Sequence, residues 1–465
     1  MTDTEPSTVT AAPELAPKVR TEWGRYGRRP LNILFLIALV DAIDRGILPG
    51  VLTTVQDDLG FSDTEAGYLG SIFILTGFFV TLPAGYLADR YRRTRIIAVV
   101  LASWGAISAL NSLVRNLGQF LAVRAALGVG ETIDNPASQS LVADYYRPAV
   151  RGRAYAFLRV APLLGAAAGQ IVAAVIAARF GWRWAFLVVG VPGSLLAIAV
   201  WRLPEPRRGE SDGPGLGDQP EAPLPAAAPI VPNRASGVGA LVADIRVALR
   251  VRSLRSLMVG SAIAGGALSG LGFWAPAFYE RHTNLSAEAA ASLAGILILG
   301  GAIGGTIVIG RMVDRIRDRY EGAPMLIAGA SQGIGALLLM PTFLPVPLWV
   351  RLPVQGVAVA FIIGGLVAIP VMITEVVPAG VRGIAFSVTG FLGAVASAIS
   401  PTLIGFVADQ FEFMVDGKVR GHLANAFLVV TPLVFVGALV LLRGRRHVAG
   451  DIAAAAAERD APISP

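Results

Sequence analysis

The chain has 465 residues, 54% hydrophobic and only 15% charged, where soluble globular domains average roughly 25% charged. Its net charge of +7 sits in short basic loops between apolar blocks, which is a membrane-topology pattern and not a nucleic-acid surface. There is no cysteine, and the three histidines, His282, His422 and His447, fall at or beyond the ends of apolar blocks. Thiolate, disulfide and intramembrane histidine chemistry are thereby excluded, and nothing asks for a metal or cofactor.

Residues 1–30 read as a cytoplasmic leader, without the basic n-region and apolar core of a signal peptide. Twelve apolar spans follow, near 31–55, 64–88, 95–114, 117–142, 152–179, 183–202, 254–279, 287–312, 323–341, 347–374, 383–408 and 424–443. Each approaches the about 20 residues that cross a bilayer, and their Gly and Ala content suits close helix packing. The expected fold is an all-α membrane protein of two six-helix bundles, 31–202 and 254–443, with a cytoplasmic tail at 444–465.

The connection 203–253 begins with a Pro/Gly/Ala-rich run that reads as a disordered linker. It ends in LVADIRVALRVRSLR, which fits an amphipathic helix on the inner surface. Arginine-rich loops follow the second, fourth, sixth, eighth and twelfth spans, whereas the intervening loops are acidic or poor in basic residues. The positive-inside rule then places both termini in the cytoplasm. The expected setting is the lipid bilayer of a plasma (bacterial inner) membrane, with the protein monomeric.

The halves repeat. GYLADRYRRTR after the second span matches GRMVDRIRDRY after the eighth: Gly85 with Gly310, Asp89 with Asp314 and Arg90 with Arg315, each 225 residues apart. After the fourth and tenth spans, Asp144 matches Glu375 and Arg151 matches Arg382, 231 residues apart. This Gly-x-x-x-Asp-Arg repeat resembles the signature of the major facilitator superfamily, and the resemblance covers essentially the whole sequence. It implies two pseudo-symmetric six-helix bundles around a cavity that opens alternately to each side. Gly85 permits close packing, and Asp89 stands where it can pair with a basic residue such as Arg151. These ten residues form the expected conformational gate.

Seven ionisable residues fall inside spans: Asp41, Asp44 and Arg45 in the first, Arg124, Glu131 and Asp134 in the fourth, and Arg159 in the fifth. A charge at the membrane centre costs roughly 2.5–3.5 kcal/mol even on a lenient scale, so these must face water or one another. At the repeat offsets Arg124 maps to Gln355, Glu131 to Ile362, and Asp44 to Ser269. A duplicated scaffold with unduplicated charges assigns the charges to function. Asp41, Asp44, Glu131 and Asp134 suit proton coupling, because a carboxylate's proton affinity follows its surroundings. Arg45, Arg124 and Arg159 suit an anionic substrate group. A static buried network is the competing reading.

Asp44-Arg45 followed by Gly50, GVGE at 128–131 with VADYY at 142–146, FLRVAPLLG at 157–165 and GWRWAF at 181–186 resemble the spinster-like branch of that superfamily. Those transporters are associated with sphingosine-1-phosphate and lysophospholipids. The resemblance implies a proton-coupled secondary transporter for an amphipathic or organic anion, and not an enzyme. A multidrug/proton antiporter and a sugar-acid/proton symporter are the alternatives. Asp41-Ala42, Thr132 to Asp134 and Arg159 depart from the branch pattern, which shifts the expected cargo.

Overall fold

The computed structural model describes residues 23–211, 245–317, 319–320, 322–377, 382–415 and 417–460. Within these, the side chains of residues 81–90, 131, 132, 135, 136, 317 and 455–460 are outside the description. The expected disordered run beyond residue 211 therefore lies outside the described residues.

The N-terminal half is α1 (Arg29–Leu59), α2 (Asp63–Arg90), α3 (Arg93–Leu110), α4 (Leu117–Tyr145), α5 (Pro148–Phe180) and α6 (Trp182–Trp201). The C-terminal half is α7 (Arg252–His282), α8 (Ala287–Arg317), α9 (Ala323–Leu339), α10 (Leu348–Leu366), α11 (Ala368–Val376), α12 (Arg382–Asp409) and α13 (Leu423–Gly444). A further helix, α14 (Val448–Asp460), occupies the tail. Between α12 and α13 an antiparallel hairpin pairs β1 (Glu412–Val415) with β2 (Lys418–Gly421), a departure from the all-helical expectation. The expected tenth span is interrupted at Val367, between α10 and α11.

Among the described residues nine helices are long and apolar enough to cross a membrane, with α10 and α11 together making one of them. The helices α1, α2 and α4 have 31, 28 and 29 residues. At about 1.5 Å per residue each is long enough to span. The charges at 41, 44 and 45 are what make α1 less apolar than its neighbours.

Local chemistry sets the helix ends. Gly60 closes α1 in the left-handed conformation, φ +70°, and its N–H donates to Gln56 O. Ser62 and Glu65 exchange backbone-to-side-chain bonds of 2.9 and 3.3 Å at the start of α2, a capping box. The side-chain carbonyl of Asn116 accepts from Gln119 N at 2.9 Å to start α4.

The packing repeats as the sequence does. In the first half α1 packs on α5, α2 on α4 and α3 on α6; in the second, α7 packs on α12, α8 on α10 and α9 on α13. The halves meet where α2 lies against α12 and α5 against α8. The α1–α5 seam is backbone against backbone. A Cβ on Gly50 would fall 2.5 Å from Gln170 O, and one on Gly169 would fall 2.2 Å from Ile43 O.

Gly169→Leu is therefore expected to lower the thermal midpoint of the purified protein, with an overpacking cost of about 1–3 kcal/mol. Gly304→Ala, whose Cβ would meet nothing within 4 Å, should leave it unchanged.

Candidate functional site

The packing of α1 sorts its three charges. Asp44 turns into the bundle and is 0% exposed. Its Oδ1 accepts from the Ser108 hydroxyl of α3, and among the described residues Oδ2 has no hydrogen-bond partner. Arg124 of α4 lies within electrostatic reach of Asp44. Arg124 is buried, with its guanidinium 5.9 Å from the Phe120 ring centroid and 5.7 Å from that of Phe186. Aromatic faces are a favourable setting for a desolvated guanidinium. Arg45 is exposed on α1 and pairs with Asp41 at 2.7 Å. Asp134 accepts from Ser138 at 3.1 Å and feels the Asp41 charge.

Five of the seven expected residues thus share one neighbourhood between α1 and α4. The Glu131 side chain lies outside the described residues. Arg159 is exposed on α5. It shares a helical face with Ala166 and Gln170, whose backbones abut Gly46 of α1.

The expected gate residues resolve into distinct roles. Arg93, at the start of α3, is buried and ion-pairs with both Asp144 and Glu205. Asp144 also accepts from Gly209 N at 2.9 Å, and Ser211 donates to Asp144 O at 2.7 Å. Residues 203–211 therefore form a fastened strap, whereas the sequence reading had a disordered linker starting at 203. Burial alone would raise the Glu205 pKa, but donation from the Thr94 N–H and hydroxyl and from Arg93 outweighs it and holds the carboxyl below its ordinary value.

Arg151 Nε donates to Tyr146 O at 3.2 Å, and Arg382 Nε to Val377 O at 3.1 Å. The duplicated arginines make the same bond to the carbonyl just beyond α4 and α11, so at both copies a guanidinium caps the helix C-terminus. Asp314 and Arg315 are exposed, Glu375 is half-buried, and a Cβ on Gly310 would meet nothing within 4 Å. The side chains of Asp89 and Arg90, and the surroundings of Gly85, are outside the description.

At the opposite end, by the α1–α2 turn, the halves are tied together. Arg281 at the end of α7 bonds Asp63 through both terminal nitrogens at 2.8 and 2.9 Å, and reaches Gln56 Oε1 at 2.8 Å. Both partners of this ion pair are almost fully buried. Asp409 of α12 accepts from the N–H groups of Asp63 and Thr64 and from the Thr64 hydroxyl, capping α2 from the other half. Asp57 pairs with Lys418 and Arg420 of the hairpin. One layer deeper, Ser71 and Thr402 share a bond of 2.7 Å.

A cavity of about 320 Å³ lies away from the charges, between α7, α8 and α10. Its walls are apolar, with Leu268, Phe278, Leu297, Phe343, Val359 and Phe427 among them. Its polar groups are mostly spent on each other. Tyr279 donates to Gln355 at 2.5 Å, and Gln355 donates to Thr342 at 3.0 Å. Gln355 and Ser269, which line it, are the repeat counterparts of Arg124 and Asp44.

The sequence profile of the Major Facilitator Superfamily matches residues 34–401. The chain belongs to this superfamily. The facilitator is 27% identical to the probable L-galactonate transporter of Escherichia coli (strain K12), over 86% of this chain and 89% of that protein. It is 30% identical to Protein spinster of Drosophila melanogaster over 201 residues, 43% of this chain and 33% of that protein. A solved bacterial homolog of the human lysosomal transporter Spinster, in an inward-facing and unoccupied conformation, matches with TM-score 0.78 at 21% identity, covering 92% of this chain and 99% of that one. The facilitator is thus a multi-pass membrane transporter resembling the spinster branch, and not an enzyme.

The cross-half lock and the apolar cavity escaped the sequence reading. Arg281, Asp63 and Asp409 stand at helix ends, where charges are ordinary, and only folding shows that Arg281 and Asp63 are buried against each other. In this cysteine-free protein, cysteines placed at Ser71 and Thr402 should cross-link across the halves. Removing one partner of a buried ion pair costs about 3–5 kcal/mol. Arg281→Gln is therefore expected to reduce cross-link yield sharply, and an unchanged yield would show that the pair does not hold this end shut.

Proposed function

We propose that the facilitator moves an amphipathic or organic anion by alternating access, coupled to protons. The observation that carries this reading is the division of chemistry between the halves. Charges gather on α1 and α4, and an apolar cavity occupies the corresponding place in the other half. A lysophospholipid-like cargo has both parts, an ionic head and a hydrocarbon tail. Arg45, Arg124 and Arg159 would meet the head, with the cavity for the tail. Asp41, Asp44, Glu131 and Asp134 would carry the proton, since burial and a neighbouring guanidinium pull a carboxylate's proton affinity in opposite directions.

In this reading twelve helical segments cross a bacterial inner membrane, and the protein acts as a monomer with both termini cytoplasmic. The domains are a leader at 1–30, bundles at 31–202 and 254–443, a linker at 203–253 and a tail at 444–465. The Arg281–Asp63 lock then closes the outer side, and the cavity is approached from the cytoplasm. The repeated loops, with Gly85, Asp89, Arg90, Asp144 and Arg151 in one half and Gly310, Asp314, Arg315, Glu375 and Arg382 in the other, govern closure of the inner side.

A sugar-acid/proton symporter is the second reading. It is favoured by the match to the probable L-galactonate transporter over nearly all of both proteins.

Uptake into proteoliposomes under an imposed pH gradient separates the two. Lysophospholipid uptake should follow the gradient, and Asp44→Asn or Glu131→Gln should abolish that dependence. Gly272→Phe places a ring in the cavity, where a Cβ meets nothing within 4 Å. It should raise the lysophospholipid KM by about tenfold, equivalent to about 1.4 kcal/mol. Gradient-driven uptake of a sugar acid alone, insensitive to Gly272→Phe, would establish the second reading. Uptake of either solute indifferent to the gradient would overturn proton coupling.

A further inference from the structure

A serine inside an apolar helix ordinarily satisfies its hydroxyl on its own helix, by donating to the carbonyl three or four residues back. This protein follows that habit repeatedly. Ser103 donates to Val99 O and Val100 O, Ser112 to Ala109 O, Ser331 to Ile327 O, and Ser387 to Gly383 O. Ser108, on the same helix as Ser103, does otherwise. Its hydroxyl leaves α3 and donates to Asp44 of α1, and both residues are 0% exposed.

The surroundings hold Ser108 in this posture. Its backbone carbonyl accepts from Asn111 Nδ2 at 2.9 Å, and Asn111 is itself fully buried. Nearly one turn earlier Gly105 seats α3 against α6, so closely that a Cβ there would lie 2.6 Å from Gly190 O and closer still to the Ser194 hydroxyl. The helix α3 packs on α4 and α6, in the layer behind the charged row. Among the described residues, the charged groups around Asp44 are Asp41 and Arg45 on its own helix and Arg124 on α4. Ser108 is the neutral donor among them.

We propose that Ser108 is a positioning residue for the Asp44 carboxyl. Its hydroxyl fixes Oδ1 from behind, so the carboxyl keeps one orientation and presents Oδ2 to the proton. A buried carboxyl with neither oxygen held would turn about its side-chain bonds and meet Arg124 in several geometries. With Oδ1 held by α3, the proton acceptor moves with the bundle. This inference rests on the assignment of Asp44 to proton coupling, and its test keeps the two apart.

The test is an infrared pH titration of the full-length purified protein, which needs no cargo. The protonated-carboxyl band of Asp44 is the one that disappears in Asp44→Asn. In Ser108→Ala this carbonyl loses its donor, so the band should move to higher frequency. Ser108→Thr keeps a hydroxyl and should leave the band in place, which separates the lost hydrogen bond from any general loosening of α3. A band that is unmoved in Ser108→Ala overturns the positioning role while leaving Asp44 a proton acceptor. If no band disappears in Asp44→Asn, Asp44 takes up no proton, and both the coupling assignment and the role of Ser108 fall.

Discussion

A charge within the hydrocarbon of a bilayer has no water to stabilise it, so it must find a partner, a hydrogen bond or an aqueous cavity. The interior of the N-terminal half is arranged around that constraint. Asp41 and Arg45 answer each other on the exposed side of α1, Asp44 is held by a hydroxyl, and Arg124 rests between phenyl rings near it. The glycine seam between α1 and α5 is part of the same arrangement, because it draws the helix bearing three charges deep into the bundle. The C-terminal half copies the helix packing but carries Ser269 and Gln355 at the corresponding positions, and an apolar cavity forms there. Asymmetric side chains on a symmetric scaffold give a transporter two unlike walls.

Among the described residues the two ends of the molecule are built differently. By the α1–α2 turn the halves are joined: Arg281 is buried against Asp63, Asp409 caps the start of α2, and the hairpin pairs with Asp57 nearer the surface. At the end that carries the strap, Asp144 is bound to Arg93 and residues 209–211, and the duplicated Arg151 and Arg382 cap their own connections. Each of these bonds lies within its own half and stiffens it. A buried ion pair between two rigid bodies is a switch element, since the desolvation cost of its ions is met only while they remain paired.

Much of the fold was legible in the sequence because a membrane imposes long apolar runs and a duplicated sequence shows its repeat. The superfamily followed from Gly85, Asp89 and Arg90 recurring as Gly310, Asp314 and Arg315. The charged row was legible as well, since Asp44 and Arg124 stand out in apolar surroundings. Partners from distant segments were not. Ser108 looks like any helix serine until α3 is docked, and Arg281 looks like a topology charge until the halves meet. The hairpin 412–421 has only four residues per strand, too few for an alternating pattern to declare itself between two spans. The strap at 203–211 was read as a disordered linker because it opens a longer run rich in Pro, Gly and Ala, whereas Glu205 and Gly209 find specific partners on the folded bundle.

The central claim is that cargo and proton meet at the charges of the N-terminal half. Its most direct test is titration calorimetry of cargo binding to the detergent-purified protein in buffers of different ionisation enthalpy, which counts the protons exchanged on binding. The account predicts that binding enthalpy varies with the buffer in the wild type and becomes buffer-independent in Asp44→Asn, which still binds cargo. Buffer-independent binding by the wild type, or an unchanged proton count in Asp44→Asn, would contradict it.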